Sequence, residues 1–326
     1  MAVLELEFLR VDMDEFSSFV DQLPELKLYS PDISVMKNDD LLEMASALAN
    51  RLFAKKIELV KKALFDPRIG IAAIDIAESE KLTPDENAYW GVVVALAMGA
   101  SVFNLSKDRV NKTPFTVFAS SYRRSKELED LGLEGIASKS KLGFHTDGAI
   151  SGSSVFMPKN ILLYNMLIEY RKPGNLYWVP FALWDKKNAY MEQLGVGRPY
   201  RIKVTPSIYE FKNGEIGDVS PPEVEVPIFP EDQENGYPLY LNGKVISCDE
   251  DSCFDPTIID ELRESISQNS VRYAIPQKAR RVVFARNLSG AHARDVLEEP
   301  VEDVPYTRVF VRSVDEDGVE LTHPAI

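Results

Sequence analysis

The chain contains three histidines, and two of them lie in settings that could bind a metal ion. His145 precedes Asp147 by two positions in the segment Leu-Gly-Phe-His-Thr-Asp-Gly. In an extended segment, side chains two positions apart point to the same face, so this imidazole and this carboxylate would lie side by side. His292 follows an apolar run much later in the chain and could supply a third ligand. Two histidines and one carboxylate form the facial triad that holds iron(II) and leaves positions open for oxygen and substrate.

The His-x-Asp spacing is weak evidence on its own, because surface pairs and helix caps give the same pattern. The third histidine, His323, lies beside Pro324 and is expected to be an exposed tail residue. A site built from His145, Asp147 and His292 therefore requires a fold that brings a distant strand back to the same place.

The N-terminal third of the chain has mainly helical patterns. Apolar spacing over residues 41–65 predicts one continuous helix that Asp40 would cap and that an Asp-Pro pair would end. A second helix is predicted over residues 83–99. Thr83 and Glu86 have the spacing of a capping box there, and a proline occupies the first helical position.

After Thr113 the pattern changes to short runs rich in β-branched and aromatic residues, which predict strands. Together with an earlier buried run, the predicted strands are residues 69–74, 116–119, 161–164, 176–179, 200–204, 282–284 and 308–311. Asn213-Gly214 and Asn242-Gly243 have the composition of tight hairpin turns. Asp255-Pro256 would start a further helix that ends near Ser267.

Many spaced strands with turn signals favour a jelly roll or a β-sandwich. We therefore expect a mixed α/β (α+β) fold in which helices brace a double-stranded β-helix (jelly-roll) core. Residues 1–326 would form a single domain whose first part, about 1–112, is mainly helical. Such a core returns distant strands to one mouth, where His292 could meet the His-x-Asp pair.

The residues around these two histidines resemble the clavaminate synthase and taurine dioxygenase superfamily of iron(II)- and 2-oxoglutarate-dependent oxygenases. The segment Phe144-His-Thr-Asp147 is similar to the His-x-Asp or His-Thr-Glu motif of that superfamily. Residues 279–294 are similar to its approach strand, Asn-containing turn and distal histidine. Residues 306–312 resemble its closing strand with two arginines four positions apart, and the resemblance extends over roughly residues 90–315.

The resemblance implies a dioxygenase, with His145, Asp147 and His292 as ligands of Fe(II) and with 2-oxoglutarate as cosubstrate. Such an enzyme consumes molecular oxygen, releases succinate and carbon dioxide, and hydroxylates, desaturates or cyclises at an unactivated C–H bond. A carboxylate at position 147 argues for hydroxylation or a related oxidation, since halogenating members have a non-coordinating residue there. The family's substrates imply a free amino acid or an amino-acid-derived metabolite, as in secondary metabolism.

The resemblance also implies arginines that bind the cosubstrate. Arg308 would pair with the distal carboxylate of 2-oxoglutarate through its planar fork. Arg312, four residues on, could support the other end of the cosubstrate. The assignment stays open, because an ungapped alignment makes Arg308 the second arginine of the motif and puts Val304 at the first. Arg294, two residues after the distal histidine, is the further alternative.

One feature of the family is missing from this chain. Many members have a threonine that donates to 2-oxoglutarate just after a Gly-Gly or Pro-Gly turn, but the corresponding run Pro173-Gly-Asn-Leu-Tyr177 has none. Tyr177, or Asn175, could take that role. For the substrate, Arg123 or Arg124 could meet a carboxylate, and the acidic run 249–251 could instead recognise a basic side chain.

Two other functions stay open beside the oxygenase. One is a cupin-type metal enzyme independent of 2-oxoglutarate, although such sites usually recruit more histidines than this chain provides. The other is a non-catalytic β-sandwich binding protein in which His145 and Asp147 only form hydrogen bonds. Trp90, Trp178 and Trp184 could then line a ligand groove, although buried core is the usual place for tryptophan in such strands.

The composition limits partners and location. The net charge of −14, from 51 acidic and 37 basic residues, disfavours phosphate backbones and anionic lipid, so neither nucleic acid nor a membrane is an expected partner. Cys248 and Cys253 alone cannot make a structural zinc site, and we expect two free thiols. A signal-peptide pattern and a membrane-spanning apolar run are both missing, so we expect a cytoplasmic protein that acts on a small molecule.

Overall fold

A computed structural model of the chain describes residues 2–107, 112–121, 141–151, 154–203, 211–212, 215–216, 223–248, 254–302 and 304–322. It has a mixed α/β fold. The α-helices in these ranges are α1 (Met13–Asp21), α2 (Pro24–Lys27), α3 (Asp39–Leu52), α4 (Ala54–Phe65), α5 (Pro84–Val102), α6 (Lys187–Leu194) and α7 (Thr257–Ser267). Short 3-10 helices span Ile33–Lys37, Phe181–Leu183 and Asn287–Ser289.

The strands are numbered in chain order. They are β1 (Ala2–Leu4), β2 (Phe8–Val11), β3 (Ile71–Ile76), β4 (Thr116–Ser120), β5 (Leu142–His145), β6 (Ala149–Ser151), β7 (Ser154–Pro158), β8 (Ile161–Ile168), β9 (Tyr170–Lys172), β10 (Asn175–Pro180), β11 (Pro199–Lys203), β12 (Phe211–Lys212), β13 (Glu215–Ile216), β14 (Glu223–Pro227), β15 (Lys244–Ser247), β16 (Val271–Pro276), β17 (Arg281–Ala285), β18 (Gly290–Arg294), β19 (Glu298–Pro300), β20 (Arg308–Val314) and β21 (Gly318–Leu321).

Two large sheets organise the fold. The first sheet has the strand order β1-β16-β10-β18-β5, and the second has the order β2-β3-β17-β8-β20-β4. Strands adjacent in the sheet are mostly distant in sequence, so the chain crosses between the two sheets repeatedly. Small sheets of two or three strands (β14-β11-β15, β12-β13, β19-β9 and β21-β7-β6) complete the described structure.

Three apolar clusters pack against these sheets. Helices α1 and α3–α5 cover one face of the second sheet, and a further cluster lies between the two large sheets. The third cluster packs β11, β14 and α7 on the outer face of the first sheet. Strand β3 is buried on both faces: Ala72 and Ile74 contact the helical side, while Ile71 and Ala73 contact the first sheet. This double burial explains why the strand is a continuous apolar run rather than an alternating one.

The three tryptophans are core residues, as is usual for tryptophan, and do not line a groove. Trp90, Trp178 and Trp184 are all buried, with at most 3% of any of them exposed. Trp178 lies between the two large sheets and donates its indole N–H to Ile69 O at 2.7 Å. These rings therefore form core rather than a binding surface.

The single helix predicted over residues 41–65 is also wrong, because the structure has two helices there. Asn38, not Asp40, caps α3, and the break falls at Phe53, whose φ and ψ are −113° and 17°. The Phe53 ring is buried and stacks on Phe19 with the ring centroids 5.6 Å apart. Apolar spacing resumes in α4, so periodicity alone cannot show the interruption.

The second predicted helix is confirmed at its start. Thr83 Oγ1 accepts from the Glu86 N–H, and the Glu86 carboxylate accepts from the Thr83 N–H at 2.8 Å, which completes the capping box. The helix ends at Val102 rather than at Gly99. Gly99 lies inside the helix, where a Cβ would meet Leu162 Cδ1 at 2.7 Å. That glycine lets α5 approach β8 closely.

The other element predictions are largely confirmed. Each predicted strand run lies in or overlaps β3, β4, β8, β10, β11, β17 or β20, and α7 ends at Ser267 as predicted. Asn242-Gly243 does not form a two-residue hairpin, since residues 239–242 form no strand, although Gly243 has φ +86° just before β15. Asn213-Gly214 lies outside the described residues.

Cys248 is a buried free thiol, and Cys253 lies outside the described residues. None of the helices in the described ranges has the length and hydrophobicity needed to cross a bilayer.

Candidate metal centre

The structure brings His145, Asp147 and His292 together. One potential ligand atom from each side chain lies within 4.8 Å of the other two. Asp147 Oδ1 is 3.8 Å from Nε2 of His145 and 3.8 Å from Nε2 of His292. All three side chains are at most 19% exposed. Two imidazoles and one carboxylate therefore point at a common, largely buried position.

Strand pairing accounts for the two histidines. In the antiparallel pair β18–β5, His292 lies directly opposite His145, so the two imidazoles share a face of the first sheet. Their ring centroids are 4.1 Å apart. On the other side of β18, His292 lies opposite Trp178, which packs between the two large sheets. The two imidazoles therefore face the second sheet.

Asp147 is held differently, because β5 ends at His145 and the sheet ladder does not include the carboxylate residue. The backbone N–H of Asp147 donates to Asn287 Oδ1 at 2.8 Å, and Asn287 Nδ2 donates to the Asp147 carbonyl at 2.9 Å. The preceding Thr146 is fully buried, and its Oγ1 accepts from the Leu241 N–H at 2.9 Å. Long-range side-chain contacts thus set the position of this loop residue.

The two oxygens of the Asp147 carboxylate have different surroundings. Arg312, on β20 of the second sheet, places both Nε and Nη2 at 2.9 Å from Oδ2. Burial alone would raise the pKa of Asp147, but the charge of Arg312 and its hydrogen bond outweigh burial and hold that pKa well below its usual range. The carboxylate is therefore ionised at neutral pH and presents Oδ1 to the imidazoles.

Both imidazoles are neutral at physiological pH. Burial, followed by the neighbouring His145, lowers the pKa of His292 to about 3 against the opposing charge of Asp147. Burial likewise lowers the pKa of His145. The Nδ1 atom of His145 lies 2.9 Å from the Gly143 carbonyl, which leaves its Nε2 facing Asp147. Neutral imidazoles with free lone pairs and an ionised carboxylate are the forms that bind a divalent metal.

A second group of polar side chains is buried near β20. Arg308 is 6% exposed and Arg294 is 2% exposed. Burial, and next the charge of Arg294, lowers the pKa of Arg308 to about 9. Arg308 contacts Asn165 Oδ1 at 3.4 Å, and its guanidinium lies over the Phe310 ring at 4.2 Å.

Arg308 lacks a countercharge within the part of the chain that the structure describes. Among those residues, no Asp or Glu lies within salt-bridge distance of its guanidinium, and its Nε has no hydrogen-bond partner. A buried cation without an anion is costly, so a carboxylate that reached Arg308 would be stabilised. The buried guanidinium of Arg308, with Arg294 nearby, therefore fits one carboxylate of a dicarboxylic acid.

The structure does not bring Tyr177 to this site, contrary to the sequence-based prediction. Tyr177 pairs with Ala293, so it points to the opposite face of the first sheet from His292. Its hydroxyl donates to Asp295 Oδ2 at 2.9 Å, and Arg272 lies over its ring at 4.3 Å. Asn175, two residues earlier, shares that outer face, and the intervening Leu176 has no hydroxyl to offer.

Several residues with a predicted role fall outside the part of the chain that the structure describes. Arg123, Arg124, the acidic run 249–251 and His323 lie outside the described residues. Asn287 belongs to the turn that the family resemblance identified, but its contact with Asp147 joins residues far apart in sequence. Only the three-dimensional arrangement shows that contact.

Comparisons with known proteins show the fold. No protein-family model matches the chain, and no curated protein matches it. Solved structures do match. An asparagine oxygenase in complex with Fe(II), 2S,3S-3-hydroxyasparagine and succinate has a TM-score of 0.67 and 13% identity, covering 94% of this chain and 93% of that chain.

Two structures of the non-haem iron oxygenase OrfP are similar to the same extent. The complex with Fe and alpha-ketoglutaric acid has a TM-score of 0.66 and 14% identity, covering 95% of this chain and 94% of that chain. The complex with Fe, succinate and (3S)-hydroxy-L-Arg has a TM-score of 0.63 and 14% identity, covering 95% and 93%. At such identities the likeness shows that the chains share a fold.

Proposed function

We propose that this protein is an iron(II)- and 2-oxoglutarate-dependent dioxygenase, an oxidoreductase with a double-stranded β-helix core in a single domain. The observation that carries the proposal is the convergence of His145, Asp147 and His292 on one buried position. Two neutral imidazoles and one ionised carboxylate match the facial triad of non-haem iron(II) oxygenases. The shared fold with two such oxygenases supports the same assignment.

His145, Asp147 and His292 would hold the metal. When bound, Fe(II) and 2-oxoglutarate together supply the oxidising chemistry that attacks an unactivated C–H bond. The protein's part is to bind and to orient. Arg312 keeps Asp147 ionised and holds its second oxygen, so Oδ1 is the oxygen available to the metal. The three ligand side chains are at most 19% exposed, so the protein shields this position from most of the solvent.

Arg308 is our candidate for the distal carboxylate of 2-oxoglutarate. It is buried, has no carboxylate partner among the described residues, and projects from the same strand as Arg312. Arg312 is already engaged with Asp147, which makes it a poorer candidate for that end of the cosubstrate. Arg294 lies close enough to lower the pKa of Arg308 and would add positive charge to the same pocket.

The substrate that we propose is a free amino acid or a small molecule derived from one, and the reaction is a hydroxylation or a related oxidation. Support comes from the structures of similar fold, whose complexes contain 3-hydroxyasparagine and (3S)-hydroxy-L-Arg. The carboxylate at position 147 supports hydroxylation over halogenation. The excess of 51 acidic over 37 basic residues fits a small-molecule enzyme better than a protein that binds nucleic acid.

The test is anaerobic mixing of metal-free protein with Fe(II) and 2-oxoglutarate, followed by absorption spectroscopy. We expect a weak visible charge-transfer band in the wild type and none in Asp147→Ala. Asp75→Ala is the matched control, because Asp75 is also a largely buried carboxylate that pairs with an arginine, Arg281, at 2.7 Å. That control should keep the band.

Admission of oxygen with candidate amino acids then separates the alternatives. Oxygen-dependent formation of succinate supports the proposal. Iron binding without any succinate would favour a cupin-type enzyme instead. A wild-type protein with no affinity for Fe(II) would overturn the proposed function and favour a non-catalytic binding protein.

A further inference from the structure

We propose that Asn287 is a positioning residue that fixes Asp147 relative to His292 and so sets the metal affinity of the site. This inference rests on the proposed function, since it concerns the same metal centre. Asn287 is not one of the three proposed ligands and would act through Asp147.

The Asn287 amide makes three hydrogen bonds, all of them to main-chain groups. Its Oδ1 accepts from the Asp147 N–H at 2.8 Å, and its Nδ2 donates to the carbonyls of Asp147 and Pro158, both at 2.9 Å. The side chain is completely buried in the 3-10 helix between β17 and β18. Both donors and the acceptor oxygen are therefore occupied, and their geometry is determined.

Asp147 depends on this amide because the sheet does not reach it. The pairing of β5 with β18 is irregular between His292 and Arg294, and β5 ends at His145. Past that point, the N–H and the carbonyl of Asp147 both bond to the one side chain of Asn287. The amide thus does for Asp147 what a neighbouring strand does for a residue inside a sheet.

The same amide connects the two segments that carry the ligands. Asn287 lies on the connection that leads directly into β18, the strand of His292. A displacement of Asp147 would therefore have to break bonds to the segment that positions His292. Only an amide of this length provides one acceptor and two donors at this place. An aspartate has the same shape but no N–H to donate, and an alanine has neither group.

Asn269 offers a matched control for a purely structural role. It is also a buried asparagine, 3% exposed, whose Nδ2 donates to two main-chain carbonyls, those of Leu183 at 3.1 Å and Val271 at 2.7 Å. Both of these hydrogen bonds go to main-chain groups outside the proposed metal site. Loss of either asparagine should lower the melting temperature of the metal-free protein, but only loss of Asn287 should disturb the metal centre.

The experiment compares Asn287→Ala, Asn287→Asp and Asn269→Ala with the wild type. Anaerobic titration measures the dissociation constant for Fe(II), and the absorption spectrum of the Co(II)-loaded protein reports ligand geometry. We expect both Asn287 variants to bind Fe(II) about 10–100-fold more weakly, the usual effect of losing an outer-shell partner. Their Co(II) spectra should shift towards that of Asp147→Ala, whereas Asn269→Ala should match the wild type in both readouts.

An Asn287 variant that folds and binds Fe(II) within twofold of the wild type would overturn the inference. Asn287→Asp keeps the shape of the side chain, so the test remains available if the alanine variant does not fold. Failure of the wild type to bind Fe(II) is a separate result. It would overturn the proposed function itself, and this inference with it.

Discussion

Arg312 binds one oxygen of Asp147 and leaves the other to the two imidazoles. Both Nε and Nη2 of Arg312 lie 2.9 Å from Oδ2, while Oδ1 lies 3.8 Å from Nε2 of His145 and of His292. Arg312 projects from the second large sheet, whereas both histidines belong to the first. The proposed metal site is therefore built from both sheets, and the ion pair decides which oxygen is available to the metal.

Arg312→Gln should weaken Fe(II) binding and make it dependent on pH. Without the guanidinium charge, the pKa of Asp147 rises towards its usual value, because burial then acts with less opposition. We expect affinity to fall about 10–100-fold at pH 7.5 and to fall further at pH 5.5. Anaerobic titrations at both pH values measure this. Arg281→Gln, which removes one of the two basic partners of Asp75, is the control and should bind Fe(II) as the wild type does.

The metal-free protein should lose stability as the pH falls below about 6.5, the ordinary pKa of histidine. Burial lowers the pKa of folded His292 to about 3, so the unfolded chain binds a proton in this range and the folded chain does not. Stability therefore falls with falling pH, by at most about 1.4 kcal/mol per pH unit from this one group. Urea unfolding at pH 7.0, 6.0 and 5.0 measures the trend. His292→Asn should show a shallower slope, and an unchanged slope would contradict the assignment.

Arg308→Gln should separate cosubstrate binding from metal binding. Removing one member of a buried charged pair commonly costs 2 kcal/mol or more, which corresponds to about 30-fold or more in the dissociation constant of 2-oxoglutarate. Fe(II) affinity should stay within a few-fold of the wild type, because Arg308 has no hydrogen bond to the proposed ligands. Titration of the charge-transfer band with 2-oxoglutarate measures the first quantity. Equal cosubstrate affinity in variant and wild type would shift the assignment to Arg294.

Tyr177→Phe should leave both affinities unchanged. The Tyr177 hydroxyl bonds to Asp295 on the face of the first sheet opposite to His292, so its removal does not touch the proposed pocket. We expect a loss of about 1 kcal/mol in the free energy of unfolding, the typical value of one hydrogen bond. A clear rise in the dissociation constant of 2-oxoglutarate would show that the original assignment of Tyr177 to the cosubstrate was right.

Local sequence signals predicted local structure well and failed where distant contacts decide. The Thr83–Glu86 capping box is complete within four residues, and it starts a helix in the structure. The break at Phe53 depends on packing against Phe19, which apolar spacing does not encode. Periodicity thus identified the helical region but not its division.

In the candidate site, too, the sequence indicated some residues correctly and could not show others. Residue types and their order indicated His145, Asp147 and His292, and the structure places them together. Tyr177 points away from the proposed site, whereas its neighbour Trp178 lies on the same face as His292. A difference of one position decides the face of a strand side chain, and the sequence motif did not fix that position. The hydrogen bonds between Asn287 and Asp147 could not be predicted from the sequence, because the two residues are 140 positions apart.

Strand β5 lies at the outer margin of the first sheet, and it is only four residues long. A strand so short has few ladder hydrogen bonds to hold it, and its residues His145 and Leu142 both pair with β18. A bound ion would tie this strand to its neighbour through His145. We therefore expect loss of the metal to loosen β5 before the rest of the first sheet, so that the amide hydrogens of this strand would exchange faster in the metal-free protein than in the iron-loaded protein.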